Sequence, residues 1–564
     1  MGDFVPKKKT QIDDIERTIY DITNEDRSAY KSASGLTEEI IRDISARKHD
    51  PAWMLDFRLK SLKVYHETPM PAWGPDLSAL NMDEIVTYVR PDAKMVGDWN
   101  EVPEDIKDTF DRLGIPAAEK SSLAGVGAQY DSEVVYHSIQ ESLVKQGVVY
   151  TDMETALQEY GDIVQQYFMT LVPPKAHKFA ALHGAVWSGG SFVYVPEGIK
   201  VDIPLQSYFR LNAAGAGQFE HTLIIVEKGA SLHFIEGCSA PKYNVTNLHA
   251  GCVELFVKEG ARLRYSTIEN WSRNMMNLNT KRVKVEKNGA VEWVSGSFGS
   301  HVSMLYPTSI LQGENATCEF TGITFASKGQ ELDTGATVIL DAPNTSANIS
   351  TRSISKSGGA AIYRSGVKVT PRAVGAKCSV NCESLMLDSA SRSDTLPVMD
   401  VACDAVDIGH EATIGRIGDY TRMKNLRRDM NYRLRTGQSL AQALGMPQDM
   451  KKTQSAALLP QVQESDELRS MRIRQKLRQG QKLSGADKQY LKDHDPDLYE
   501  KVSRIEERRE ELARALKRAK TKEEALRAVT LANIAVLAEM RATGGAEAPS
   551  LRRAVQGGGG GAAA

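Results

Sequence analysis

No run in this sequence approaches the eighteen or so apolar residues that a membrane helix requires. The opening MGDFVPKKKTQIDD lacks the apolar core of a secretory signal, and Pro6 stands where a myristoylation pattern needs Ser or Thr. Cysteine is scarce, six widely scattered residues in 564, which fits free thiols better than a disulfide framework. Together these absences give the expectation of a reducing, cytoplasmic setting. The GxxxxGK[ST] phosphate loop is missing too, since the glycine-rich SKSGGAA has no closing Lys-Ser/Thr, so a P-loop nucleotidase is excluded. In GVGAQYDSEVVYH the glycines Gly125 and Gly127 stand without the third glycine and preceding strand of a dinucleotide fingerprint, and the stretch reads as a turn.

What is present divides into unlike parts. A hydrophobic content of 41% with 25% charged residues is that of an ordinary globular protein, and 564 residues exceed what one core usually organises. The formal charge of -2 hides an asymmetry: residues 421–564 carry about 29 Lys and Arg against about 18 Asp and Glu, near +11, leaving the remainder near -13. Residues 1–180 read as a helical region, with apolar residues at helical spacing in LTEEIIRDIS and in AWMLDFRLKSL after Pro51, and further helices over 100–113, 132–146 and 153–160.

From about His183 the pattern changes to short runs rich in Val, Ile, Thr, Tyr and Phe, among them SFVYV, HTLIIV, SLHFI, CVELFV, RLRYST and VEWV. Between them a turn recurs as EKGA, KEGA and KNGA, placing Gly229, Gly260 and Gly289 about thirty residues apart, the range in which repeat architectures declare themselves. A sandwich or barrel also has many short strands. A turn in phase with the strand pattern favours stacked coils, so residues 181–408 are read as a β-helix core. The expected fold is mainly β with flanking α: a central β-solenoid, an N-terminal helical region and a C-terminal α-helical appendage.

Residues 371–417 concentrate the chemistry. They hold Cys378, Cys382 and Cys403 and end in His410-Glu411, a mixture of thiolate, imidazole and carboxylate suited to a soft or borderline metal. The spacing fits no zinc finger. Taken singly, Cys378 and Cys403 read as small buried hydrophobes, and Cys252 and Cys318, in strand-like runs, as core.

The stretches FAALHGAVWSGGSFVYVPEGIKVDIPLQSYFRLN, GQFEHTLIIVEKGASLHFIEGCSAP, LHAGCVELFVKEGARLRYSTIENW, SKGQELDTGATV, YRSGVKVTPRAVGAKCSVNCESL and GHEATIGRI resemble the SufB family, scaffold subunits of the SUF iron-sulfur cluster assembly system. The resemblance spans about residues 35–418. It implies that Cys238 receives persulfide sulfur, and that Cys382 accepts sulfur and binds the cluster with Glu411 or the adjacent His410. It implies further that Arg210, Asn212, Glu269, Trp271 and Lys287 line a route between the two cysteines, Glu269 standing where some members have Gln. A transient iron-sulfur cluster is the implied cofactor, with room for a reduced flavin. The implied partners are a SufC-like ATPase that hydrolyses any ATP used, a SufD-like subunit or a second copy of this chain, a SufS/SufE- or SufU-like sulfur donor, and apo iron-sulfur proteins. Sulfur transfer needs a partly ionised thiol, and Arg210 and Lys287 are expected to supply the positive field that lowers its pKa. Replacing one thiolate by carboxylate or imidazole gives a more labile shell, suited to transfer rather than storage.

After Ile417 the chain departs from that family. Residues 409–450 read as a divergent C-terminal helical segment, and 451–564 as a basic, mixed-charge helical appendage with runs at 466–478, 484–492, 498–518 and 522–541 and a Gly/Ala tail. No aromatic residues interleave its arginines, so nucleic-acid binding is not expected. Two other classes are weighed. One is a purely structural solenoid that holds an ATPase and a SufD-like partner. The other is a carbohydrate-active β-solenoid, disfavoured because acidic residues do not cluster on one face.

Overall fold

The computed structural model describes residues 20–113, 123–416 and, in the C-terminal part, 473, 483–496, 498–500, 502–503 and 514. Two compact units emerge, residues 1–440 and 441–564. In the first, Glu38–Arg47 starts behind Thr37, whose hydroxyl accepts the Ile40 amide, and buries Ile40, Ile41 and Ile44. Those side chains share a core with Leu62 of Ala52–Glu67 and with Phe179 and Leu182 of Lys178–Val186. Helices Glu104–Arg112, Met153–Glu159 and Gly161–Tyr167 complete this region. Among the described residues no helix is long and apolar enough to cross a membrane.

Two stretches depart from the sequence expectation. GVGAQY is not a turn but the strand Gly125–Tyr130, parallel to Leu205–Arg210 and antiparallel to Glu133–Ile139. Its glycines make room for Tyr150: a Cβ on Gly125 would lie 3.0 Å from that ring, and one on Gly127 2.8 Å from its hydroxyl. Residues 132–146, expected as a helix, form the strand Glu133–Ile139 and a single helical turn at Glu141–Val144. Val134, Val135 and Tyr136 favour a pleated surface, and pairing to the glycine strand satisfies their backbone. One solenoid wall thus starts inside the region read as helical.

That wall continues as eight parallel strands from Leu205–Arg210 to Asp407–Arg416. In the opposite wall the early coils use two short strands each, such as Val302–Leu305 and Thr308–Leu311. From Glu331–Leu340 onward, one ten-residue strand spans both places. The turn seen in the sequence stacks coil upon coil. Its left-handed position is filled in succession by Gly229, Gly260, Asn288, Asn315, Asn344 and Gly375, each donating its amide to the next coil. At the third coil Asn288 takes the positive φ rather than Gly289. Aliphatic and aromatic side chains from both walls fill the space between.

Among the described residues the final coil carries nothing further: Arg392–Val401 and Asp407–Arg416 pair on one edge only and expose most of their residues. His410 and Glu411, expected at the opening of a helical segment, lie on this last strand, and residues 417–450 fall outside the described residues. In the second unit Gly485–His494 is a helix closed by a capping box between Ser484 and Asp487, where a helix over 484–492 is expected. Its Tyr490 and Leu491 pack with Ile473, Leu483 and Val502. The other expected C-terminal helices lie wholly or largely outside the described residues.

Candidate sulfur and metal site

Strand register stacks the inward side chains of the eight-stranded wall into columns, because alternate residues face the interior and in-register parallel strands repeat them every 4.8 Å or so. Two columns are apolar. One runs Leu232, Leu263, Val291, Cys318, Ala347, Cys378, and the next Phe234, Tyr265, Trp293, Phe320, Ile349, Val380. The other two are polar and contain both cysteines of interest. One runs Glu236, Thr267, Ser295, Gly322, Thr351, Cys382, and its neighbour Cys238, Glu269, Ser297, Thr324, Ser353, Ser384. Cys238 and Cys382 are therefore the ends of one hydroxyl-lined seam, five strand spacings or about 24 Å apart along the stack. Midway, Ser295, Ser297, Gly322, Thr324, Thr351 and Ser353 border a cavity of about 20 Å³, room for one water-sized group.

At the Cys238 end the thiol is buried. Burial, and after it Glu236, Glu220 and Glu269, push it well above its ordinary pKa, with Lys281 only partly opposing. Lys281 lies fully buried between Glu236 and Glu269, at 2.8 Å and 3.1 Å. Burial alone would discharge this lysine, but the two carboxylates hold its pKa above the ordinary value. Glu236 also accepts the Tyr265 hydroxyl, and Glu269 the Asn277 side-chain amide at 2.6 Å. Trp271 packs in the same apolar cluster as Cys238, and its buried indole N–H has no hydrogen-bond acceptor among the described residues.

At the other end the Cys382 Sγ lies 3.6 Å from His410 Nε2. Two ligands of one tetrahedral first-row ion stand roughly 3.5 Å apart, so thiol and imidazole are spaced to share a metal. Burial raises the Cys382 pKa, while Thr351 and Tyr363 favour the thiolate. Cys378, four residues earlier, sits in the aliphatic column with its thiol pushed up to about 12 by burial. Cys403 is half-buried in the last turn.

The remaining expected residues are divided. Glu269 and Trp271 stand beside Cys238. Arg210 is buried and donates to Ser239 Oγ at 3.0 Å and to the carbonyls of Tyr20 and Ile22. Asn212 accepts the Asn24 amide at 3.3 Å, so both fasten the N-terminal segment to the wall. Lys287 is not brought to the seam: it lies exposed in a coil turn and pairs with Glu314 at 3.2 Å. The expected lowering of the Cys238 pKa by Arg210 and Lys287 is therefore not seen: burial, and after it the carboxylates, raise it, with Lys281 as the opposing cation. Glu411 is in register with Asn381 and points to the outer face, whereas Cys382 and His410 point inward. Sequence reading missed Lys281, Glu236 and the hydroxyl columns. The alternation in TKRVKV, which puts Lys281 in phase with Val283 and Val285, was the available signal.

Comparison with known proteins gives consistent results. Residues 45–207 match the SufBD protein N-terminal region, and residues 209–421 match the SUF system FeS cluster assembly, SufBD core domain. An iron-sulfur cluster assembly SufBD family protein of Staphylococcus aureus strain MRSA252 is 50% identical over 413 residues, covering 73% of this chain and 88% of that relative. A protein of the same description from Staphylococcus haemolyticus is 49% identical over the same length.

Proposed function

The chain belongs to the iron-sulfur cluster assembly SufBD family, and from that we propose that it is a scaffold that takes up sulfur at Cys238, builds a cluster at Cys382 and hands it to apo-proteins. The observation carrying this reading is the polar seam whose two ends are Cys238 and Cys382, in a core whose other two columns are apolar. At the entry the Cys238 thiolate attacks the outer sulfur of a donor persulfide. A new S–S bond forms on Cys238, and the donor leaves as thiolate. About 24 Å is beyond direct exchange between two thiols. Sulfur therefore crosses as hydrosulfide, released from the neutral Cys238 persulfide by two electrons and one proton that restore the thiol. A reduced flavin is a donor of that class. The hydroxyls of Ser297, Thr324 and Ser353 line the path.

At the exit, Cys382 and His410 offer two ligands to the iron of the nascent cluster, the substrate of assembly. Glu411, the next residue of the same strand, faces outward and is not oriented to share that iron. Such a mixed shell with few protein ligands favours release. The last coil supports the partner expectation. Val398 is 66% exposed beside exposed Leu396, Met399, Val401 and Ile414, an apolar edge without a cap among the described residues that suits another solenoid end, a SufD-like subunit or a second copy. A SufC-like ATPase, a SufS/SufE- or SufU-like donor and a cytoplasmic setting complete the reading.

A second reading, a purely structural subunit, is favoured by the burial and raised pKa of Cys238. Anaerobic reconstitution with iron and sulfide, followed by visible absorption and iron-to-sulfide analysis, decides between them. The scaffold reading expects charge-transfer absorption in the unmodified chain, its loss in Cys382→Ala and its retention in Cys378→Ala. Absence of a bound cluster in all three favours the structural subunit.

A further inference from the structure

On the outer face of the second wall three side chains meet that the assembly reading does not use. His183 belongs to the Lys178–Val186 helix, while His221 and Cys252 open the neighbouring parallel strands His221–Val226 and Cys252–Val257 and stand in register. All three are buried, and their ligating atoms lie within 4.8 Å of one another. Val253, Leu255 and Val257 turn into the solenoid core, so Cys252 and Glu254 face the packed helices instead.

The imidazole hydrogens leave room for a cation in one of their two arrangements. His183 Nδ1 lies 3.0 Å from the Ala250 carbonyl, which only accepts, so Nδ1 carries the hydrogen. In the singly protonated ring the lone pair then sits on Nε2. That nitrogen is 3.0 Å from His221 Nδ1. The other nitrogen of His221 faces Glu254 Oε2 at 3.3 Å, an ion-pair distance. Glu254 also accepts the amides of Met169, Leu171 and Val172, which fixes it as an acceptor. His221 has two tautomers: one donates Nδ1–H to His183 Nε2, and the other turns its hydrogen toward Glu254 and leaves Nδ1 bare to a cation. In that second arrangement two bare nitrogens stand 3.0 Å apart in a dry site, and a cation shared by them relieves their repulsion. A proton would satisfy the imidazoles and leave the thiol without a role, whereas a metal ion uses all three donors.

We propose that His183 Nε2, His221 Nδ1 and the Cys252 thiolate bind one divalent ion of the zinc class, Zn²⁺ or Fe²⁺, which fastens the Lys178–Val186 helix to adjacent coils of the solenoid. The donor set is borderline in softness and fits such an ion. Glu254 is the outer carboxylate that orients His221, as metal-bound histidines usually require. Binding displaces the Cys252 proton into solvent, one proton released per ion bound.

The test uses the full chain carrying Cys382→Ala, so that the cluster pair does not compete, loaded with Zn²⁺ alone and dialysed. Metal analysis is expected to give one zinc per chain, and zinc X-ray absorption a shell with one sulfur near 2.3 Å and two imidazole nitrogens near 2.0–2.1 Å. Adding Cys252→Ser should remove the sulfur from the shell and weaken zinc binding at least about tenfold. The absorption spectrum of the chain with this site intact decides the matter even where Cys252→Ser fails to fold. Less than one zinc per ten chains, or a shell without sulfur, overturns the proposal and leaves a proton as the bridge. A zinc shell unchanged by Cys252→Ser overturns it equally.

Discussion

Replacing Lys281 by Met removes the ammonium between two buried carboxylates, Glu236 and Glu269, which lie 2.8 Å and 3.1 Å from its Nζ. Both glutamates are within 2% of full burial, so water cannot take the place of the ammonium. Breaking a buried pair from one side costs about 3–5 kcal/mol. Unfolding entropy of roughly 2.1 cal/mol/K per residue over some 400 residues converts this to a fall in melting temperature of about 4–6 °C. The pH dependence has a definite sign. In the unmodified chain Lys281 overrides the effect of burial and holds Glu236 below the ordinary carboxylate range, so its contribution is present above the unfolded pKa and is lost as pH falls through the lower folded one. In Lys281→Met burial acts alone and raises the folded pKa, so the deficit is full at pH 8 and shrinks toward pH 5 as the glutamates take up protons. Lys281→Met with Glu236→Gln should recover most of the loss. Calorimetry at pH 5 and pH 8 checks this. A loss under 1 °C at pH 8, or the same loss at both values, would refute the buried triad and with it the account of the Cys238 environment.

Three further outcomes are expected. Gly322→Val fills the middle of the seam, where even a Cβ would stand 2.9 Å from the Phe320 ring and 3.3 Å from Thr351. Cluster formation from a persulfide donor through Cys238 should fall at least about tenfold while reconstitution from free sulfide persists, and equal loss of both would argue against a conduit. Because the Cys238 thiol is raised above its ordinary value by burial and carboxylates, its persulfide uptake should climb about tenfold per pH unit between pH 7 and 9, followed by mass spectrometry. A rate flat over that range would show that the thiol is already ionised. Val398→Lys places a charge on the apolar terminal coil and should weaken association with a solenoid partner, read as a shift to smaller species by sedimentation, with the melting temperature held within about 1 °C. Unchanged association would move the docking surface elsewhere.

Much of the fold was legible because its physics is local. Strand alternation and a recurring turn that needs a left-handed residue give coils of about thirty residues, and the structure stacks them as expected, with Gly229 and Gly260 in that conformation. The misread stretches are those where a partner element decided the outcome. Residues 125–130 look like a turn by their glycines, yet those glycines accommodate Tyr150, which lies twenty residues onward in the chain. Cys252, read as core from its strand, is buried as expected, but its neighbours are two histidines contributed by other elements.

The order of residues in this chain determined the solenoid and the family, because each rests on short motifs or a regular period. Register determined the rest. Whether two residues a hundred positions apart share a column depends on how many residues each coil and turn contains. Only the folded stack shows that Ser297, Thr324 and Ser353 lie between the two cysteines, and that Lys281 rather than Lys287 meets the buried carboxylates. The same parity puts His410 beside Cys382 and turns Glu411 outward, since adjacent residues of a strand point to opposite faces.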